Sequence, residues 1–214
     1  MMRETRPELQ GIYVILGHEG AVERLDACLA AGVRLFQYRG KARGTQETAR
    51  ALVERCHRAE ALLIVNDDVD LALAVEADGV HLGQEDTEGV DLLEVRARLG
   101  TRLLGLSTHD PAQARRAASF GADYIGAGSC FPTRTKDRVM LIGIDGLRRI
   151  VEASALPVAA IGGIDATNMA SVRATGAAMA AVIGAIAQAG DPRAAAAQLM
   201  AAWNGAPQRV QERA

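Results

Sequence analysis

Residues Leu103 to Ala127 read LLGLSTHDPAQARRAASFGADYIGA, and they hold one complete unit of the chain's grammar. The stretch opens on a short apolar run without strict polar alternation, the pattern of a strand buried on both faces of a parallel sheet. Ser107, Thr108 and His109 end that run. Asp110 then precedes Pro111, with Gln113 three residues after the Asp. This is a capped helix start, because the carboxylate accepts from the orphan amides of the first turn and proline stands where no amide is needed. Gly121 is the expected C-terminal cap, and a second apolar run begins at Asp123.

Working outward, the same alternation of short apolar run and longer amphipathic stretch recurs eight times. The runs begin near Ile12, Arg34, Leu62, Gly79, Leu103, Asp123, Pro157 and Met179. Val22, Leu25 and Leu29 mark one face of the helix that stops at Gly32, and Ala49, Leu52, Val53 and Cys56 mark one face of the next. The capped-start pattern returns from Asp165 to Gly176. Eight units of about 27 residues suit a closed barrel better than an open sheet, since none of the runs has the polar character of an edge strand. The expectation is therefore an α/β protein, a single (β/α)8 TIM barrel. No linker or composition shift divides residues 1–214, which read as one domain with flexible termini at 1–10 and 206–214.

Composition limits the function. Of 214 residues 49% are hydrophobic and 23% charged, with a formal net charge of −2, so the chain can bury a core without disulfides. Three cysteines without a CxxC pair point to a reducing compartment and away from thiolate metal sites. No Lys/Arg run marks a nucleic-acid face. The charged opening MMRETRPELQ lacks a signal-peptide core, and the uncharged run from Ala174 to Gly190 is mostly Ala and Gly and too short to span a bilayer. The expected setting is cytoplasmic, with small-molecule substrates, no nucleic acid and no membrane; a homo-oligomer is left open.

In a barrel, the residues just past each strand converge on one mouth. Strand two ends in Gln37, Arg39 and Lys41, at alternating positions, and strand three in Asn66, Asp67 and Asp68. Strand four gives His81, Gln84, Glu85 and Asp86, and strand five Ser107, Thr108 and His109. The sixth and seventh run starts are 34 residues apart, against 17 to 28 elsewhere, so Gly128 to Gly143 is a candidate active-site lid carrying Thr133, Arg134, Thr135 and Lys136. Strands seven and eight end in Gly162, Gly163 and in Ile183, Gly184. Cations at Arg39, Lys41 and Lys136 beside carboxylates at Asp67 and Asp86 match an Mg2+-bound diphosphate. The glycines after the last two strands match a second phosphate site built from main-chain amides.

Each feature also has a plainer reading. Arg39 and Lys41 read as solvated surface charges, Asp67 as a helix N-cap, Asp86 and Thr87 as turn and cap residues, and Gly162 and Gly163 as a turn. His81 reads as a hydrogen-bonded core histidine, and His109 as a helix-start residue or a base. These readings fail jointly, because so many such residues stand at the same end of successive strands.

The motifs Gln37-x-Arg39-x-Lys41, Asn66-Asp67, HLGQED from His81 to Asp86, STH from Ser107 to His109, FPT-x-TK from Phe131 to Lys136, and IGGI from Ile161 to Ile164 resemble those of the thiamine-phosphate synthase family. The resemblance runs from Gly11 to about Ile186. It implies a barrel enzyme joining 4-amino-2-methyl-5-hydroxymethylpyrimidine diphosphate to a carboxylated or plain hydroxyethylthiazole phosphate, with thiamine phosphate and pyrophosphate as products. By the family's pattern Gln37, Tyr38, Arg39, Gly40, Lys41, Asn66, Ser107 and Lys136 contact the pyrimidine diphosphate. Among these, Arg39, Lys41, Ser107 and Lys136 stabilise the leaving group. Asp67 and Asp86 hold Mg2+; Thr133, Arg134, Thr135, Gly163, Ile183 and Gly184 take the thiazole phosphate.

The chain departs from that pattern at DRVMLI (Asp137 to Ile142), at Gly184 in place of the usual serine, and at Asp68 where arginine is common. Two other functions compete. A thiazole tautomerase of the related barrel family would use His109 as acid or base, but that family tends to lack the Asn-Asp pair and the Thr-x-Thr-Lys loop. A phosphate-binding barrel without activity would not need the metal ligands.

Overall fold

The computed structural model describes residues 9–40, 45–84, 87, 89–132 and 140–206. Eight parallel strands form a closed barrel in chain order: β1 (Gly11–Gly17), β2 (Leu35–Arg39), β3 (Leu62–Asn66), β4 (Gly79–Leu82), β5 (Leu103–Thr108), β6 (Tyr124–Ala127), β7 (Val158–Ile161) and β8 (Met179–Val182), with β8 pairing back onto β1. The helices are α1 (Ala21–Ala30), α2 (Thr45–Arg58), α3 (Val69–Ala74), α4 (Leu92–Leu99), α5 (Pro111–Ala117), α6 (Gly143–Ala153), α7 (Met169–Arg173), α8 (Gly184–Ala187) and α9 (Pro192–Gly205). The expected TIM barrel is present, and each strand begins within one residue of its expected start.

The two-residue period of a strand sorts the core into two layers. Outward-facing Ile12, Val14, Phe36, Leu63, Leu104 and Ile125 pack against the helices, including the predicted faces of α1 and α2. Inward-facing Tyr13, Ile15, Leu35, Ile64, Leu103, Tyr124 and Met179 fill the barrel, and Leu9 packs with them. Leu9, inside the segment 1–10 expected to be flexible, is 3% exposed.

Local signals behave as their chemistry requires. Asp110 caps α5 by accepting from the amides of Ala112 and Gln113, while the Gln113 side chain accepts from His109 N at 2.7 Å. Asp123 at the opposite rim ties β6 to β5, with its carboxylate on Leu104 N and on Arg96, both at 2.9 Å. Acidic residues at that end serve stability rather than chemistry. All three cysteines are buried free thiols. Among the described residues, no helix is long and apolar enough to cross a membrane.

Candidate active site

A cavity of about 580 Å3 opens at the carboxyl ends of the strands, where loops after β2, β3, β4, β5, β6, β7 and β8 meet. On β2, alternation turns Gln37 and Arg39 into it. Tyr38, between them, must face the other way. Its ring is buried among the outer-layer residues, its hydroxyl bonds His18 Nδ1 at 2.7 Å, and neither it nor Gly40 lines the cavity. A Cβ on Gly40 would stand 2.3 Å from the Tyr38 hydroxyl, so glycine at 40 makes room for that ring.

At the end of β3, Asn66 and Asp67 both line the cavity. Asp67 does not cap α3. Its backbone is left-handed, φ 63°, and its carboxylate accepts from Gly83 N at 3.2 Å and from the Asn66 amide. The cap is Asp68, which accepts from Leu71 N at 2.8 Å. The left-handed turn therefore divides two adjacent acids between two tasks, Asp67 toward the mouth and Asp68 onto the helix. Two hydrogen bonds hold the Asp67 carboxylate and link it to the segment that leads from β4 to Asp86, a donor arrangement that fits a hard cation. Among the described residues no group of three or more His, Cys, Asp or Glu forms a metal cluster.

His81, on β4, is the hydrogen-bonded core histidine of the plainer reading, and it also lines the cavity. It belongs to a chain that crosses the barrel interior. Gln37 Nε2 donates to Tyr13 Oη at 2.8 Å, Tyr13 and Tyr124 share a hydrogen bond of 2.8 Å, Tyr124 meets His81 Nδ1 at 3.1 Å, and His81 Nε2 meets Ser107 Oγ at 3.1 Å. Burial lowers His81 to about 4 and raises both phenols, so at neutral pH the imidazole is uncharged and each tyrosine keeps its proton. Gly105 gives the chain its space: a Cβ there would stand 2.3 Å from the Tyr124 ring and 2.4 Å from His81 Nδ1. His109 also reaches the cavity, with Nδ1 2.9 Å from the carbonyl of Gly128.

The opposite side is main chain. Gly162 and Gly163 have φ of 102° and 63°, and a Cβ on Gly163 would come within 2.5 Å of the Pro132 carbonyl. Their own carbonyls are taken by Phe131 N at 3.0 Å and by the Asn168 side chain at 2.9 Å, which leaves both glycines lining the cavity with their carbonyls committed elsewhere. Ile183 and Gly184, where α8 begins, complete this side. Lys41, Asp86, Thr133, Arg134, Thr135 and Lys136, with residues 137–139 of the candidate lid, lie outside the described residues. Sequence reasoning missed Tyr13, Asn168 and Asp165; the first had a signal, a lone tyrosine in an otherwise aliphatic strand.

A family model described as thiamine monophosphate synthase matches residues 12–186. The chain belongs to that family. A thiamine-phosphate synthase of Geobacillus kaustophilus is 42% identical over 94% of this chain and 96% of its own length. One of Synechococcus sp. is 45% identical over 86% of this chain, which spans only 52% of that longer relative. Among solved structures, thiamine phosphate pyrophosphorylase of Pyrococcus furiosus superposes with a TM-score of 0.84 at 36% identity, covering 92% of this chain and 97% of that one. The motifs that carried the resemblance, from Gln37 to Ile164, all fall inside the matched span.

Proposed function

We propose that this enzyme transfers the pyrimidinylmethyl group of 4-amino-2-methyl-5-hydroxymethylpyrimidine diphosphate to the ring nitrogen of a hydroxyethylthiazole phosphate, forming thiamine phosphate and pyrophosphate. The observation that carries the reading is that one continuous cavity joins a wall of charged and polar side chains to a wall with glycines, which supports two phosphorylated substrates meeting between them.

The C–O bond to the diphosphate breaks with its electron pair leaving on pyrophosphate, and the resulting cation is stabilised by the ring amino group. The thiazole nitrogen then forms the new C–N bond with its own lone pair, so no strong base is required. What the chain must supply is charge stabilisation and orientation. Arg39, with Lys41 and Lys136, neutralises the departing oxygens, and Asn66 and Ser107 offer further donors. Asp67 and Asp86 would hold Mg2+, which when bound offsets diphosphate charge. Ile15, Ala159, Ile161, Ala181 and Ile183 line the cavity with apolar surface that keeps water from the cation. Gly163 and Gly184 offer main-chain amides to the thiazole phosphate, with Thr133, Arg134 and Thr135 from the preceding loop. The reducing, cytoplasmic setting suits three buried thiols with no disulfide.

The purified protein supplied with both substrates and Mg2+ should release thiamine phosphate and pyrophosphate in equal amounts. Turnover that persists in excess EDTA removes the metal from the reading, and absence of product with both substrates removes the reaction. A second reading has one observation in its favour: His109 in the cavity, with Nδ1 anchored on Gly128, leaves Nε2 available for proton transfer in a thiazole tautomerase. Isomerisation of a thiazole phosphate without condensation would establish it.

A further inference from the structure

The chain of hydrogen bonds from Gln37 to Ser107 has a direction, and the orientation of the Gln37 amide sets it. Tyr13 is 2% exposed and Tyr124 fully buried, and their only side-chain hydrogen-bond partners among the described residues are each other, Gln37 and His81. Because Gln37 Nε2 donates to Tyr13, the Tyr13 proton has one acceptor left, the Tyr124 oxygen. Tyr124 then donates to His81 Nδ1. The neutral imidazole consequently carries its proton on Nε2 and donates it to Ser107 Oγ, whose own proton is left for the cavity. With Gln37 Nε2 on Tyr13, a Tyr124 that donated to Tyr13 would leave the Tyr13 hydroxyl a buried donor with no acceptor, a costly defect in an apolar interior; only turning the Gln37 amide over and reversing every proton with it satisfies the chain the other way.

We propose that Tyr13, Tyr124 and His81 are positioning residues that set the polarity of the barrel floor, so that the β2 side presents the acceptor Gln37 Oε1 and the β5 side presents the donor Ser107 Oγ–H. A ligand matched to this floor carries an N–H donor toward β2 and an acceptor toward β5. An aminopyrimidine satisfies the first requirement, whereas its oxo counterpart sets an oxygen lone pair against Gln37 Oε1. Gln37 can turn its amide over only if every proton along the chain shifts with it, so the two tyrosines and the imidazole hold a choice that an isolated glutamine would not hold. The proposal rests on the pyrimidine substrate proposed above for its ligand, but its core, the direction of the chain, is a property of the protein alone.

Two experiments separate the two levels. Long-range 1H–15N NMR at neutral pH, with the His81 signals among the four histidines assigned through His81→Gln, should show the Nε2–H tautomer. The Nδ1–H tautomer overturns the proposal whatever the protein catalyses. The second experiment compares kcat/KM for the aminopyrimidine diphosphate with that for its 4-oxo analogue. Tyr13→Phe keeps the ring in the barrel and frees Gln37 to turn, so the preference for the amine should fall about tenfold or more, with KM for the thiazole phosphate unchanged. An undiminished preference in a folded Tyr13→Phe protein overturns the specificity role even where the tautomer is as expected. An equal loss toward both pyrimidines, with the preference intact, reduces the residue to packing and also overturns it.

Discussion

From β2 to β5 the mouth is made of side chains, Gln37, Arg39, Asn66, Asp67, His81 and Ser107, each aimed inward by strand alternation or, for Asp67, by one left-handed turn. From β7 to β8 glycines bring main chain to the mouth between side chains such as Ile161 and Ile183, with Gly162 and Gly163 in conformations that L residues rarely adopt. The first half depends on which functional group stands at each position and tolerates isosteric exchange of everything else. The second depends on shape, because what a substitution removes there is the approach of the backbone. Charge changes and Cβ additions should therefore injure the two halves in complementary ways.

The largest effect expected is from Asp67→Asn. Asparagine keeps the left-handed backbone and the acceptor for Gly83 N while removing the negative charge. Turnover should fall roughly 100-fold or more, with the melting temperature within a few degrees of the parent. The neighbour gives the converse: Asp68→Ala removes the α3 cap, at about 1 kcal/mol, and leaves kcat unchanged. Paired kinetics and thermal melts check both. An Asp67→Asn enzyme as active as its parent would break the comparison on its charged side.

Gly163→Val tests the other half. At φ 63°, with a Cβ 2.5 Å from the Pro132 carbonyl, the valine is strained as well as obstructive, at about 1–3 kcal/mol. KM for the thiazole phosphate should rise about tenfold or more, an effect of about 1.4 kcal/mol, while KM for the pyrimidine diphosphate changes little. A folding defect would instead lower the active fraction toward both substrates alike, so initial rates with each substrate varied in turn decide the matter. A larger effect on the pyrimidine diphosphate would show that the two walls have been assigned the wrong way round.

These contrasts also explain what could be read from sequence. All eight strand starts were legible because short buried apolar runs alternate with longer amphipathic stretches, and the inward set Gln37 and Arg39 followed from the two-residue period. The same period, applied one residue further, places Tyr38 outward, where the structure has it; the motif includes it because it stands between Gln37 and Arg39. Asp67 and Asp68 were not separable, since either can cap a helix and only the left-handed turn at Asp67 decides. The Tyr13–Tyr124 contact joins residues 111 positions apart and exists only because the barrel closes. Sequence periodicity carries no such information.

The side-chain half also carries a pH response, because it contains a buried imidazole with a large shift. His81 is held near 4 in the folded protein against 6.5 for the free group, so the unfolded chain binds the proton first as pH falls. Stability is then full above about pH 6.5, declines through the interval down to about 4, and levels off below it, a loss of about 3 kcal/mol in all. His81→Gln should flatten that interval in melts taken from pH 7.5 to 4.5. An unchanged slope would place the acid sensitivity elsewhere.

The smallest effect expected is at Gly184, and it sharpens the comparison because this glycine belongs to the main-chain half without sharing its constraint. The nearest atom to a Cβ at Gly184 is the Gln188 amide nitrogen at 3.6 Å, an ordinary contact, against 2.5 Å at Gly163. Nor is its φ in the left-handed region, so a side chain there costs no backbone strain. Gly184→Ser should fold as the parent does, keep the main-chain amide in place and add one hydroxyl donor at the edge of the cavity. A hydroxyl donating to a phosphate at the solvent-exposed edge of the cavity contributes about 1 kcal/mol, so KM for the thiazole phosphate should fall about fivefold, with kcat and the pyrimidine KM unmoved. If serine instead raises the thiazole KM as valine does at Gly163, then free space at Gly184 is filled by the bound phosphate itself. The glycine wall would then extend from β7 through the start of α8 as one surface that excludes every side chain.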